Sequence, residues 1–244
     1  MKISFYLKKF RDTITFSKRA KKNARLLQEL DWANVFNSTI SDSPWLEDKS
    51  FSPGRYAIGY PFLYVLYRIL DSLKPAAIIE FGLGQSTNML HRYAASFSHA
   101  SIKTFEHNTD WIAFFRQNMK IPSNAEIIQV ESFRTKYKGS STVSIRGHEE
   151  VINGRKYTLI ILDAPSTSKR YARPQILPMI PDNIDKDNFC ILIDDYNRHG
   201  EQETCDEMEK LFKMHDIAYC KTIYSGIKDF ALYCSPGLVF LTTL

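Results

Sequence analysis

Short apolar runs recur through the middle of the chain and alternate with helical or irregular segments. These runs are AAIIEF from residue 76, SIKTFE from 101, AEIIQV from 125, YTLIILD from 157 and FCILID from 189. Runs that are apolar at nearly every position are typical of strands covered on both faces, as in a parallel sheet between helices. The pattern therefore predicts an α/β fold with a doubly wound, mostly parallel sheet.

The segments on either side of these runs have different periods. Residues 59–75, GYPFLYVLYRILDSLKP, are apolar at every third or fourth position, which predicts an amphipathic helix that ends at Pro75. Near the C-terminus, IAYCKTIY, FALYC and GLVFLTT are joined by links too short to contain a crossover helix. We expect these three runs to be strands that turn back antiparallel.

The first 50 residues differ in composition from the rest. Their sequence indicates helical pieces followed by a connector rich in Ser, Asp, Pro and Gly, the residues that favour turns. The chain has 244 residues, of which 44% are hydrophobic, enough for the core of one substantial domain. We expect an N-terminal extension over residues 1–55 and a single domain over residues 56–244.

Positive charge is concentrated at the N-terminus. Residues 1–25 contain nine Lys or Arg and one acid, Asp12, although the whole chain carries a net charge of only +5. This segment could be a helical arm packed on the domain, or it could lie on an anionic membrane surface. The remaining residues are slightly acidic and show no strip of alternating basic and aromatic residues, so a nucleic-acid partner is not favoured.

The spacing of the cysteines and the hydropathy of the chain indicate the cellular location to expect. The four cysteines are far apart and form no CxxC pair, which favours neither a zinc site nor a disulfide framework. No apolar run approaches the roughly 20 residues that span a bilayer. We therefore expect a reduced, cytoplasmic location, with membrane association through the basic segment as an additional possibility. The oligomeric state is left open.

The stretch IIEFGLGQS places an acid and two glycines at the end of a predicted strand. Ligands bind at such carboxyl ends in doubly wound sheets, and glycine lets a ligand approach the backbone closely. Gly82 and Gly84 would shape the turn, and Glu80 would contact the ligand. A pyrophosphate-binding GxGxxG motif would need glycine where Thr87 stands, so a dinucleotide is not favoured. An ordinary strand-to-helix turn is the alternative.

Two more acids follow later strands. Glu106 ends the second run, where a carboxylate can accept hydrogen bonds from the two hydroxyls of a ribose. Glu131 follows the third run and is placed to face a base. Trp111 could flank an adenine or could instead belong to the core.

Together these residues resemble class I S-adenosylmethionine-dependent methyltransferases over about residues 60–235. The resemblance rests on the turn from Glu80 to Gly84, on Glu106, on the LIILDAP strand and on the antiparallel close. It implies that Glu80, Gly82, Gly84, Ser86 and Glu106 contact the cofactor. It also implies a strand order of 3-2-1-4-5-7-6 with strand seven antiparallel. Gln85 and Ser86 stand where many members have another glycine.

The resemblance places acceptor chemistry at the ends of the fourth and fifth strands. In catechol-type O-methyltransferases, acids at these ends hold magnesium, and Asp163 and Asp195 stand at the matching places. Tyr196 replaces the expected asparagine, which puts that metal site in doubt. We expect either a divalent cation, Mg²⁺ or Mn²⁺, on the two aspartates or one of them as a base, with His199 as a further catalytic candidate. Alternatively, the Asp194–Asp195 pair caps the next helix and pairs with Arg198.

A closer similarity is to the glucuronoxylan methyltransferases and related polysaccharide-biosynthesis proteins. It rests on FGLGxS, on Asp163-Ala164-Pro165 and on the DxxR step from Asp195 to Arg198. Substrate-binding candidates are Arg170, Arg173 and Arg198, because guanidinium groups bind carboxylates and phosphates in bidentate fashion. The sequence thus favours O-methylation of a sugar, glycan or other small acidic acceptor. The alternative is a binding or scaffold protein that keeps the fold without the activity.

Overall fold

The computed structural model describes residues 2–54, 56–165 and 168–244, with side chains from residue 13 onward except that of residue 14. The described helices are α1 (Lys2–Ile40), α2 (Tyr60–Leu73), α3 (Gln85–Ser96), α4 (Thr109–Asn118), α5 (Glu149–Ile152) and α6 (His199–Met214), with 3₁₀ helices at Pro174–Met179 and Pro236–Thr242. The described strands are β1 (Ala77–Phe81), β2 (Ser101–Glu106), β3 (Ala125–Gln129), β4 (Glu131–Tyr137), β5 (Ser140–Arg146), β6 (Leu159–Leu162), β7 (Cys190–Ile193), β8 (Cys220–Ser225) and β9 (Asp229–Cys234).

Seven strands form one sheet in the order β3-β2-β1-β6-β7-β9-β8. Strand β9 is antiparallel to both of its neighbours, and all other pairs in this sheet are parallel. With the hairpin β4–β5 set aside, this is the predicted order 3-2-1-4-5-7-6 with an antiparallel seventh strand, so the fold prediction is confirmed. Because β1 lies between β2 and β6, the carboxyl ends of these three strands meet at one edge.

The central strands are covered on both faces. Strands β6 and β7 are buried at every position, as their continuous apolar runs predicted. One hydrophobic cluster lies on the side of α2, and it includes Phe36 and Leu46 of the N-terminal segment together with Phe62. A second cluster lies on the opposite side and includes Met208 of α6.

The N-terminal segment is one helix of 39 residues where the sequence indicated several pieces. No glycine or proline interrupts residues 2–40, which removes the usual causes of a helix break. The side chains of Ala33, Phe36 and Ile40 are buried, one or two turns apart on the same face. The helix is therefore attached to the domain through its C-terminal half, whereas residues 15–24 are exposed.

Two other local predictions differ from the structure. GLVFLTT was expected to be a strand, but it lies in the 3₁₀ helix Pro236–Thr242. Its amides bond locally, Leu238 to the Ser235 carbonyl and Thr243 to the Phe240 carbonyl, and Pro236 has no amide to give to a sheet. The hairpin β4–β5 was not foreseen, and it turns at Lys138 and Gly139, which both have positive φ.

Candidate active site

The turn from β1 to α3, residues 82–84, is the glycine turn. Gly82 has a φ of +111°, and a β-carbon there would lie 3.2 Å from the β-carbon of Ala164, so only glycine fits without strain. Gly84 is different, because its backbone is extended and a β-carbon would meet nothing within 4 Å. There is open space beside Gly84, as expected for a turn that admits a ligand.

Glu80 lies at the end of β1 and is fully buried. Its Oε2 accepts hydrogen bonds from the hydroxyls of Thr87, at 2.7 Å, and Thr104, at 2.9 Å. Its Oε1 is buried without a hydrogen-bond partner among the described residues. Burial raises the pKa of Glu80 to about 7. One oxygen of this acid is thus used to fix the turn, and contact with a ligand through the other remains a prediction. Ser86, which follows the turn on α3, is also buried.

Glu106 at the end of β2 is tied to the backbone around the glycine turn. Its Oε2 accepts from the amide of Leu83 at 3.1 Å, and its Oε1 accepts from the amides of His107 and Asn108 at 2.8 Å. Burial works to raise the pKa of Glu106, but these hydrogen bonds and the His107 side chain lower it below its usual value. The carboxylate is held in its charged form at the predicted ligand edge.

A cleft of about 710 Å³ opens beside Glu106 at the ends of β2 and β3. Its lining includes His107, Gln129, Glu131 and Arg146. Glu131 begins β4 and forms a two-pronged ion pair with Arg146 on β5, and both side chains are largely exposed. The structure therefore places Glu131 at this cleft, already paired with an arginine, and its role near a base remains a prediction.

Trp111 on α4 is 39% exposed and lies outside the buried core. Its indole N–H donates to the Leu83 carbonyl of the glycine turn at 2.7 Å. The ring stacks on Phe114 with centroids 5.2 Å apart. The aromatic residue that we expected either beside an adenine or in the core is thus anchored directly to the turn.

The ends of β6 and β7 bring together Asp163, Asp194 and Asp195, here called the acidic cluster. One oxygen from each lies within 4.8 Å of the others. Asp194 and Asp195 are buried, whereas the side chain of Asp163 is 25% exposed. Burial, with the negative charge of Asp194, raises the pKa of Asp163 well above its usual value. Asp163 is the member of the cluster that solvent reaches most easily.

Two cations, the buried Arg173 and the partly buried Lys228, hold the acidic cluster. Arg173 places one nitrogen 2.9 Å from Asp195 Oδ2 and 3.4 Å from Asp163 Oδ1, and another donates to the Leu162 and Asp194 carbonyls. Lys228, in the turn between β8 and β9, places its Nζ 2.5 Å from Asp194 Oδ2 and 3.4 Å from Asp195 Oδ1. The interior therefore already contains cations for this cluster.

The remaining predicted side chains fall into two groups. Arg198 lies 2.7 Å from Asp195 Oδ2, so the predicted pairing of that arginine with the aspartate is present. His199 and Arg170 instead both contact Glu203 on α6, and both are substantially exposed. The structure thus brings Asp163, Asp195, Arg173 and Arg198 together, while Arg170 and His199 form a separate pair of contacts. A catalytic role for His199 and substrate binding by the arginines remain predictions.

Sequence reasoning missed Lys228. Residues 226–229, GIKD, carry no motif, and a lysine in a short turn is usually solvated. Its importance comes from strand order, because β9 lies next to β7 and directs the turn toward the cluster. Pairing of β9 with β7 was implied by the predicted topology, and this was the available signal.

Comparison with solved structures identifies the fold. A candidate caffeoyl-CoA O-methyltransferase from Staphylococcus aureus has a TM-score of 0.53 at 15% sequence identity, covering 84% of this chain and 99% of that chain. The O-methyltransferase TomG from Streptomyces achromogenes, involved in tomaymycin synthesis and solved in complex with SAM, has a TM-score of 0.53 at 14% identity, covering 85% and 98%. The chain thus has the Rossmann-like methyltransferase fold. No known family model and no curated protein matches the sequence.

Proposed function

We propose that the protein is an S-adenosylmethionine-dependent O-methyltransferase. The observation that carries this proposal is the direct contact between the glycine turn and Asp163. The amides of Asp163 and Ala164 both donate to the Phe81 carbonyl at 2.8 Å, and Gly82 packs against the Asp163–Ala164 backbone. A methyl donor beside Gly84 and an acceptor at Asp163 would therefore be neighbours, as a direct transfer requires.

The residues present fit the cofactor. The open space at Gly84 would admit a ligand against the backbone, and the cleft beyond it offers room for a nucleoside. Glu106 stands at the corresponding strand end as a buried carboxylate kept ionised; its Oε1 already accepts from two amides, so a ribose hydroxyl would bond to Oε2, which accepts from one. Gly82, Gly84 and Glu106 would hold the cofactor, with Glu80 and Ser86 fixing the turn from behind.

Asp163 is the base in this proposal. Bound S-adenosylmethionine would supply an electrophilic methyl group on a sulfonium. Asp163 would accept the proton that the acceptor hydroxyl loses, and its partial exposure lets an acceptor reach it. A carboxylate whose pKa is raised by burial is a stronger base than an ordinary one. Arg173 would hold Asp163 in place from the buried side.

The proposed acceptor is a sugar, a glycan or another small molecule that carries an acidic group. Arg170 and Arg198 keep substantial solvent exposure near the loop after β6 and the start of α6. Each is already paired with an acid, so an anionic acceptor would share or displace Glu203 or Asp195. The similarity to glucuronoxylan methyltransferases supports this class of acceptor.

The divalent cation of catechol-type relatives does not fit this site. Lys228 Nζ already lies within 3.4 Å of two of the three carboxylates that would bind it. We therefore derive no step through a metal ion.

Calorimetric titration with S-adenosylhomocysteine tests the proposal. Glu106→Gln should weaken binding by about 1.5 to 3 kcal/mol, the usual value of hydrogen bonds to a charged group. Glu126→Gln is the matched control, because Glu126 lies on β3 and its side chain is 60% exposed. If the wild-type protein neither binds this ligand nor gains thermal stability from it, the scaffold alternative replaces the enzyme.

We further propose that the exposed part of α1 contacts an anionic membrane surface. Lys18, Arg19, Lys21 and Lys22 are exposed on residues 15–24, beside the exposed ring of Phe16. Each basic residue near such a surface contributes about 1 kcal/mol. The side chains of residues 2–12, which carry the rest of this basic segment, lie outside the described part. No described helix has the length and apolar character needed to cross a bilayer.

Vesicle co-sedimentation tests this second proposal. Removing residues 1–24 should abolish pelleting with vesicles rich in phosphatidylserine. The melting temperature should change little, because the ion pair between Arg25 and Asp229 is kept. Equal pelleting of both proteins, or a large loss of stability on truncation, would support the packed-arm alternative.

A further inference from the structure

The acidic cluster has the chemistry of a hard-cation site. Three carboxylates from adjacent strand ends, with oxygens within 4.8 Å of one another, are the ligand type that Mg²⁺ and Mn²⁺ prefer. Three such charges repel one another when buried, unless a cation offsets them. A nearby cation is therefore needed to offset the negative charge of this cluster.

Lys228 occupies the position that such an ion would take. An ion bound to Asp194 Oδ2 would lie about 2.1 Å from that oxygen, and the Lys228 ammonium already lies 2.5 Å from it. The same ammonium is 3.4 Å from Asp195 Oδ1. Ion and ammonium would compete for the same two carboxylates and repel in charge, so one excludes the other.

Charge balance agrees with this exclusion. Lys228, Arg173 and Arg198 bring three positive charges to four acids, namely the three carboxylates of the cluster and the buried Glu201, which lies 3.9 Å from Arg173. A divalent ion added to this set would place five positive charges on four acids.

The turn that carries Lys228 is held on both sides. The amide of Ile227 donates to Glu29 Oε2 at 2.8 Å, and Arg25 lies 2.9 Å from Asp229 Oδ2. Gly226 packs so closely against α1 and α2 that a β-carbon there would lie 2.2 Å from Glu29 Oε2 and 2.9 Å from Pro61 Cγ. The backbone from which the Lys228 side chain extends is therefore fixed by contacts with two helices.

We propose that Lys228 is the resident cation of the acidic cluster, in the place of a divalent metal ion. In the reaction, which rests on the proposed function, Lys228 and Arg173 keep the buried carboxylates in position while Asp163 takes the proton. Lys228 is then a positioning residue, and the enzyme needs no metal at this cluster. The occupancy itself does not depend on methyl transfer.

Manganese binding, followed by electron paramagnetic resonance, tests the occupancy. Wild-type protein should bind no Mn²⁺ at the cluster at millimolar concentration. Lys228→Met keeps the aliphatic stem but removes the charge, and it should create one site of about 10⁻⁴ M, the order of weak all-oxygen sites. Adding Asp194→Asn to this variant should remove the new site.

Lys221→Met is the matched control, because Lys221 is also a partly buried lysine paired with one carboxylate, Glu209, at 2.7 Å. It should create no Mn²⁺ site. A folded Lys228→Met protein without a new site would overturn the proposal. So would Mn²⁺ binding by the wild type that Asp194→Asn abolishes, and this comparison decides the matter even if Lys228→Met does not fold.

The same samples separate this proposal from the proposed function. S-adenosylhomocysteine binding is measured in parallel on wild type and on Lys228→Met, where it should be unchanged because Lys228 pairs with Asp194 and Asp195 and not with the residues of the glycine turn. Failure of the wild-type protein to bind S-adenosylhomocysteine would refute the proposed methyltransferase function. It would not affect the conclusion from the manganese experiment. If the wild type is active, a chelator should leave its turnover unchanged, and inhibition reversed by Mn²⁺ would contradict the metal-free site.

Discussion

The glycine turn and the acidic cluster lie side by side at the same edge of the sheet, yet they are stabilised differently. Around the turn, Glu80 is held by two threonine hydroxyls, and Glu106 is held by three backbone amides with the His107 side chain 3.0 Å away. In the cluster, the carboxylates are held by the cations Lys228 and Arg173. The turn therefore depends mainly on hydrogen bonds from neutral groups, and the cluster depends on the positive charges of Arg173 and Lys228.

Substitutions in the two regions should therefore have different effects. A change in the turn alters local geometry and should act on cofactor binding. A change in the cluster leaves a buried charge without its partner, which commonly costs 3 to 5 kcal/mol when the partner is removed outright. Substitutions that keep shape but change charge are therefore the sharpest way to compare the two regions.

The largest expected effect is that of Asp163→Asn on turnover. The amide cannot accept the acceptor's proton, so the rate should fall by about 10²- to 10⁴-fold, the range for one general base. Cofactor affinity should be unchanged, because the turn keeps its hydrogen bonds. Wild-type rate should rise with pH as Asp163, whose pKa is raised, becomes ionised. Steady-state rates across pH, with cofactor titration in parallel, measure both effects.

Asp187→Asn serves as the control for this comparison, because Asp187 is an exposed aspartate in the loop before β7. It should keep wild-type turnover. Retention of full activity by a folded, cofactor-binding Asp163→Asn protein would remove Asp163 from the mechanism and leave the acidic cluster with a structural role.

The next largest expected effect is on the pH dependence of the free energy of unfolding, and it arises from Glu80. Its pKa is raised to about 7 in the folded protein, so the folded state binds more protons than the unfolded state between about pH 4.5 and 7. The stability associated with the protonated acid is present below about pH 4.5 and is lost as pH rises toward 7. The loss is on the order of 3 kcal/mol.

Glu80→Gln should flatten this dependence, because the amide does not ionise. Urea unfolding at several pH values measures the slope, and Glu126→Gln, an exposed change on β3, should leave the slope as in wild type. An unchanged slope in the Glu80 variant would mean that another group carries the pH dependence.

The same contrast explains what the sequence could predict. The glycine turn is a contiguous motif, so Glu80, Gly82 and Gly84 could be placed from their spacing alone. Asp163 and Asp195 follow buried strands and could be placed from strand order. For Lys228 the predicted pairing of β9 with β7 was the only signal, because the contacts that fix its turn come from α1, about 200 residues earlier in the chain.

Two elements that were not predicted, the single long helix α1 and the hairpin β4–β5, did have local indications in the sequence. Several helical pieces were expected before the connector, but the absence of glycine and proline from residues 2–40 was the stronger indication of one helix. Residues 131–146 alternate as a hairpin does, around Lys138-Gly139. This signal was weak because Glu131 and Arg146 are exposed at its open end.

The smallest expected effect tests whether the distant contacts reach the cluster. Glu29 accepts from the amide of Tyr60 at 2.6 Å and from the amide of Ile227 at 2.8 Å, so it joins the start of α2 to the turn of Lys228. Glu29→Ala leaves both amides without this acceptor and should cost about 1 to 2 kcal/mol, as for a lost helix cap. Hydrogen exchange at Ile227 should become faster.

Exchange at Leu83, whose amide bonds to Glu106, should stay slow in the same variant, since the glycine turn does not depend on α1. Asp48→Ala is the matched control: it removes a different anchor of the N-terminal segment, the ion pair with Arg92 on α3, and should leave Ile227 unchanged. Faster exchange at both Ile227 and Leu83 in Glu29→Ala would show that the two regions open together. The distinction between a glycine turn that is independent of α1 and an acidic cluster that is anchored to α1 would then be wrong.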